Sequence, residues 1–178
     1  MNISNKLMEE HQLILNYIAL FKRYLQQIEQ DASRLDLVAM VPHFIDFIRN
    51  YADRYHHAKE ENILFKYMAI PGVLTHCNPL PVMLEEHDMG RELVGDLLNA
   101  IEEKNIYSAI EFGKSWASLL SDHINKEDNV LYVMAEEGLS AEHKQAIIIE
   151  YANVEVSMGG KQLDKKYTEL YQQLAVLI

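Results

Sequence analysis

Cysteine is almost missing from this sequence. Cys77 is alone among 178 residues, so no intrachain disulfide can form and thiolate metal clusters are excluded. A reducing, cytoplasmic location is the expectation that follows. Proline and glycine are also scarce, at four and seven residues, which argues against a turn-rich all-β architecture. No apolar run approaches the roughly 20 residues of a membrane span. The opening MNISNKLMEEHQ has neither the basic start nor the apolar stretch of a secretion signal. Lys and Arg number 16 against 27 Asp and Glu, for a net charge of −11. Nucleic acid and anionic membranes are therefore not expected partners, because both are held by clustered basic residues.

What is present is helical periodicity. Leu7, His11, Ile14, Leu15, Ile18, Leu25 and Ile28 fall at helical spacing within residues 4–30. Asp31-Ala32-Ser33 interrupts the pattern, and Ser33 or Asp36 could cap the next element. Residues 34–70 read as a second helix, with Pro42 either kinking it or marking the first turn of its main part. Pro71-Gly72 breaks the chain, and Asn78-Pro79-Leu80-Pro81 opens a third helix to about Lys104. A fourth spans about Tyr107–Glu136, with Gly138 where a C-cap glycine is expected. Two shorter helices, near 140–156 and 162–176, flank Gly159-Gly160. The expected fold is all-α: an antiparallel up-down four-helix bundle over residues 1–138. Residues 139–178 would form two additional C-terminal helices packed on the bundle or on a homodimer partner.

An internal repeat carries more than any single helix. Met8-Glu9-Glu10-His11 recurs as Leu84-Glu85-Glu86-His87. The segment from His56 through Glu60 to Phe65 recurs as His123 through Glu127 to Tyr132. Each half of the bundle thus offers one helix with a lone His and one with His-x-x-x-Glu, an approximate two-fold pattern suited to two metal ions. Residues four apart share a helix face, so His-x-x-x-Glu aims an imidazole and a carboxylate at one small volume. That donor set suits iron, manganese or zinc, and bridging carboxylates suit a pair of ions.

The helical neighbours orient each candidate. His11, His87 and His123 share faces with apolar residues: Leu7 and Ile14 beside the first, Leu80, Met83, Leu84 and Val94 beside the second, Trp116, Leu120, Val130 and Leu131 beside the third. His56 follows Ile45, Ile48 and Ala52, whereas His57 follows Asp46, Asn50 and Asp53. With the repeat, this selects His56 and Glu60 as the inward pair and leaves His57 and Glu61 at the edge as additional candidates. His43, His76 and His143 have no matched partner and read as ordinary surface or loop residues. Tyr17, Tyr51 and Tyr55 read as packing, as do Met8, Met83 and Met134.

The order His, His-x-x-x-Glu, His, His-x-x-x-Glu resembles the hemerythrin-like, or HHE cation-binding, family over about residues 5–138. The phrases from Asp53 to Glu61 and from Lys126 to Tyr132 look like its bacterial single-domain members. The resemblance implies a four-helix bundle around two iron ions joined by an oxo or hydroxo bridge. His11, His56, Glu60, His87, His123 and Glu127 would be the ligands, with both Glu bridging. Oxygen-carrying members have His-x-x-x-His on the third helix, where this chain has Arg91 four residues after His87, and they close with His-x-x-x-x-Asp. Two six-coordinate ions need about twelve bonds, and this donor set with a bridging oxygen supplies about ten. The expectation is therefore reaction with, or sensing of, dioxygen, peroxide or nitric oxide rather than reversible oxygen carriage. An oxidoreductase for peroxide disproportionation or iron-centre repair is one alternative, with Glu61, His57 and Tyr55 as candidate proton donors. A metal-stabilised interaction module is another.

Overall fold

The computed structural model describes residues 2–31 and 40–178. Among them are six helices and no strand: α1 (Asn5–Gln30), α2 (residues 41–68), α3 (Leu80–Glu102), α4 (residues 106–138), α5 (Ala141–Met158) and α6 (Gly160–Leu177). Ser33 and Asp36, the candidate caps, lie outside the described residues. Pro42 sits in the first turn of α2, where its missing N–H costs nothing, so it starts the helix and does not kink it. The Asn105 side chain caps α4 by accepting from the Ser108 N–H at 3.1 Å, and Ser140 caps α5 by accepting from the His143 N–H at 3.2 Å.

Regular α geometry does not run through α2 and α4. Ile48–His56 and Glu60–Leu64 of α2, and Glu127–Leu131 of α4, are wider π turns. Two of these begin on the candidate ligands Glu60 and Glu127. Such turns insert a residue into the hydrogen-bond ladder and re-aim the side chains after it, and they concentrate at functional positions.

Gly138 ends α4, but not through a left-handed cap: positive φ among the glycines is confined to Gly72 and Gly159. The reason is close approach. A Cβ on Gly138 would lie 2.5 Å from the Val73 carbonyl oxygen and 3.1 Å from Val73 Cγ1. The obstacle is backbone and cannot swing away. Gly138→Ala is expected to cost roughly 1–3 kcal/mol by overpacking and to lower the melting temperature by roughly 3–10 °C. A calorimetric scan matching the wild type would show that the 71–79 connection yields.

Two apolar clusters stack along the bundle. One contains Tyr17, Phe21, Phe44, Phe47, Val94, Trp116 and Leu120; the other contains Leu7, Ile63, Leu64, Met83, Leu131 and Ile147. Three side chains read as inward face outward: Met8, Leu84 and Val130 are exposed. Between the clusters lies a layer of buried His and Glu. His11 and His87 stand in the first third of α1 and α3, His56 and His123 just past the middle of α2 and α4, and the up-down alternation brings all four to one level.

The C-terminal helices dock on α1 and α2 through tyrosine hydroxyls. Tyr17 donates to the Tyr167 carbonyl at 2.7 Å, Tyr51 to Asp164 Oδ1 at 2.7 Å, and Tyr67 to Glu150 Oε1 at 2.6 Å. Ile147 of α5 is fully buried in the second cluster.

Candidate metal centre

The six inward residues converge. His11, His56, Glu60, His87, His123 and Glu127 are each at most 2% exposed. The rings pair off, His11 with His56 at 4.6 Å between centroids and His87 with His123 at 4.7 Å. The two carboxylates lie between the pairs. Glu127 reaches His123 Nε2 at 3.1 Å, His11 Nε2 at 3.4 Å and His87 Nε2 at 3.9 Å. Glu60 reaches His56 Nε2 at 3.5 Å and His87 Nε2 at 3.6 Å. His11, His56, Glu60 and Glu127 offer donor atoms within 4.8 Å of one another, and so do His87, His123 and Glu127.

What fixes the rings is a set of four carboxylates behind them. Each Nδ1 bonds to an acid on another helix: His11 to Asp128 at 2.7 Å, His56 to Glu10 at 2.9 Å, His87 to Glu61 at 2.8 Å, His123 to Glu86 at 2.8 Å. With Nδ1 committed outward, Nε2 faces the centre, the arrangement by which a carboxylate orients a metal-binding imidazole. The set obeys the two-fold repeat: Glu10 and Glu86 precede the two lone His, and Glu61 and Asp128 follow the two inward Glu. The sequence pattern alone gives Glu10 and Glu86 no role, leaves Asp128 at the alternative His-x-x-x-x-Asp spacing and sets Glu61 at the edge, although the repeat contains all four. Lys59 and Lys126, also related by the repeat, pair with Glu10 and Glu86.

The donors fit a cation. Among the described residues, His56 Nε2, Glu60 Oε2 and Glu127 Oε1 are buried without a hydrogen-bond partner, and native interiors rarely leave such atoms unpaired. The protein's own charges balance the layer only by dividing protons unequally. Burial pushes the Glu60 carboxyl well up, and the neighbouring Glu127 charge adds to it. Burial acts the same way on Glu127, but His123 and His11 outweigh it and hold that carboxyl well below its ordinary range. Burial would lower His11, yet its bonds to Asp128 and Glu127 raise it to about 10. A Glu127 carboxylate held ionised by the imidazoles facing it, beside a Glu60 pushed toward its neutral form, is a charge pattern that a metal cation can replace.

Three neighbours complete the site. His57 is buried, stacked on the His87 ring at 3.7 Å, with its Nδ1 3.1 Å from Asp53; burial lowers it to about 3, so it is neutral. Its donor atom also groups with those of Glu60 and His87. Arg91, where carriers have His, turns outward: Nε donates to Asp53 at 2.9 Å and Nη2 to Glu61 at 2.6 Å. The Tyr132 hydroxyl donates to Glu60 Oε1 at 2.5 Å and lies 3.3 Å from His11 Nε2. Tyr132 was not singled out from sequence; the signal was its pairing in the repeat with Phe65, the same ring without the hydroxyl. Tyr55 is buried away from the centre, with the Lys59 ammonium 3.4 Å above its ring, and His43 and His76 are exposed.

An all-helical protein whose bundle buries four carboxylate-oriented His around two Glu belongs to the class of metal-cation-binding helical proteins. The family model for the hemerythrin HHE cation binding domain matches residues 2–135, and the chain belongs to that family. Comparisons with curated proteins and with solved structures gave no match. Among the described residues no helix is long and apolar enough to cross a membrane.

Proposed function

We propose that this chain holds two metal ions, as iron, and binds or reacts with dioxygen, peroxide or nitric oxide in a sensing or protective role. One observation carries the reading: four imidazoles, each fixed through Nδ1 by its own carboxylate, turn Nε2 toward two shared buried carboxylates. His11 and His56 would hold one ion, His87 and His123 the other, with Glu60 and Glu127 between them. Bound iron would supply the redox chemistry and open coordination positions. The protein's part is orientation, through the outer carboxylates, and exclusion of bulk water, through the apolar clusters on either side. Manganese or zinc also suits these donors. Protein grown with iron should show a near-ultraviolet absorption band that shifts on adding peroxide or nitric oxide. An iron-replete sample whose spectrum ignores both ligands would oppose the reading.

Tyr132 favours a second reading, an oxidoreductase. Its hydroxyl is the proton donor that the candidates Glu61, His57 and Tyr55 do not provide at the centre. Glu61 is committed to His87 and Arg91, and His57 to Asp53. Burial, reinforced by the Glu60 charge, pushes the Tyr132 hydroxyl well up, so it stays protonated and able to donate. Tyr132→Phe reproduces the Phe65 side of the repeat. Under this reading it keeps its metal while peroxide turnover falls on the order of 100-fold, as expected for loss of a positioned acid. Unchanged turnover would remove Tyr132 from the chemistry.

A further inference from the structure

The repeat makes the two halves of the centre similar, but the surroundings make them unequal. On the His11/His56 side, the Tyr132 hydroxyl fills the space next to Glu60, and α5 packs across residues 57–64. Lys59, behind Glu10, is fully buried there, whereas its counterpart Lys126 has a side chain 40% exposed. On the His87/His123 side, Phe65 replaces the tyrosine and leaves no hydroxyl. A cavity of about 180 Å³ opens there, with His57 and His87 at its inner end. Its walls include Ala52, Gly90, Val94, Trp116 and the Glu86 side chain, and Arg49, Arg91 and Asp53 also line it.

From this asymmetry we infer that small, uncharged, weakly polar diatomics enter through the cavity between α2 and α3 and meet the centre at its His87/His123 position. The inference rests on the two-ion reading above and narrows it to one position and one ligand class. The cavity is large enough for several small molecules, since one water needs only about 10–15 Å³. Beyond Arg49 and Arg91 its walls are mostly apolar, with the Glu86 carboxylate among them, so an anion finds little there to replace lost hydration, and moving an unpaired charge inward is costly. At the rim the Arg91 guanidinium is already neutralised by Asp53 and Glu61, at 2.8 and 2.6 Å. A neutral diatomic pays neither cost and requires no break in that ion pair. His57, stacked on His87 at 3.7 Å, closes the inner end with a ring face.

The test fills the cavity without touching a metal-facing residue. Val94→Phe places a ring in it, and Gly90→Ala adds one methyl, 3.3 Å from the movable Leu120 Cδ2. With iron-loaded protein in stopped-flow mixing, nitric oxide association should slow on the order of tenfold in Val94→Phe and by a smaller factor in Gly90→Ala, at unchanged iron content. Azide should associate more slowly than nitric oxide in the wild type. Equal nitric oxide rates in the wild type and in whichever variant folds with full iron would overturn the inference. Crystals of the iron-loaded wild type under xenon pressure give a readout independent of the metal's reactivity: a xenon atom should lie among Gly90, Val94 and Trp116. Failure of the wild type to bind nitric oxide at all would count against the proposed function. The xenon position would then still decide whether this cavity admits apolar gases, and its absence would overturn the inference.

Discussion

Glu127→Ala should leave the helices intact and strip the protein of metal, from two ions per chain to nearly none. Glu127 approaches three of the four inward imidazoles, His123, His11 and His87, so under the proposed two-ion reading its loss removes a shared ligand from both positions. His87→Ala should remove mainly one ion, because His87 belongs to one ring pair. Folding should survive the first change, for a reason visible in the charges. The Glu127 charge opposes ionisation of its neighbour Glu60. Deleting Glu127 lets Glu60 ionise in its place beside the imidazoles, so circular dichroism of the variant should keep its helical signal. Metal analysis finding both ions still bound to Glu127→Ala would show that Glu127 does not bridge.

The second large effect lies behind the ligands, at Glu10. This carboxylate is buried, accepts from Lys59 Nζ at 2.5 Å and pairs with His56 Nδ1 at 2.9 Å. Burial pushes Glu10 up and Lys59 down, and their mutual attraction only partly offsets it. Such a pair adds little net stability, yet cutting it in half leaves an uncompensated buried group. Glu10→Ala is therefore expected to destabilise the fold by about 3–5 kcal/mol, on the order of 10 °C in melting temperature. The double variant Glu10→Leu/Lys59→Met removes both charges at similar volume and should recover most of that stability. It would still leave His56 without its outer partner, at a cost of roughly 10–100-fold in metal affinity. Lys126→Met, the same position in the repeat, should cost less than about 1 kcal/mol because that side chain is substantially exposed. Similar losses in Lys59→Met and Lys126→Met would contradict the asymmetry described here.

Much of this was legible in the sequence because the repeat acts as a built-in alignment. It selects His56 over His57, while in the structure both are buried, at 2% and 8% exposed. His57 was placed at the edge because its helical neighbours are polar. It is buried because the ring of a different helix, His87, stacks on it, a contact that the periodicity of α2 alone does not contain. The π turns were not foreseen either. Widening a turn at Glu60 and Glu127 depends on where the facing helices need those carboxylates, not on local propensity. Gly138 was read by its commonest use, a left-handed cap, while its cause is Val73 on a remote connection. The outer carboxylates and Tyr132 were present in the repeat in full. Charged residues on amphipathic helices are usually solvated, however, and only the packing shows which of them turn inward.

Elemental analysis of protein purified after growth with iron bears most directly on the central claim. Under the proposed reading, His11/His56 and His87/His123 around Glu60 and Glu127 should hold two metal ions per chain, iron under those conditions, lost together in Glu127→Ala. Metal-free protein, or a single ion that survives that substitution, would contradict it.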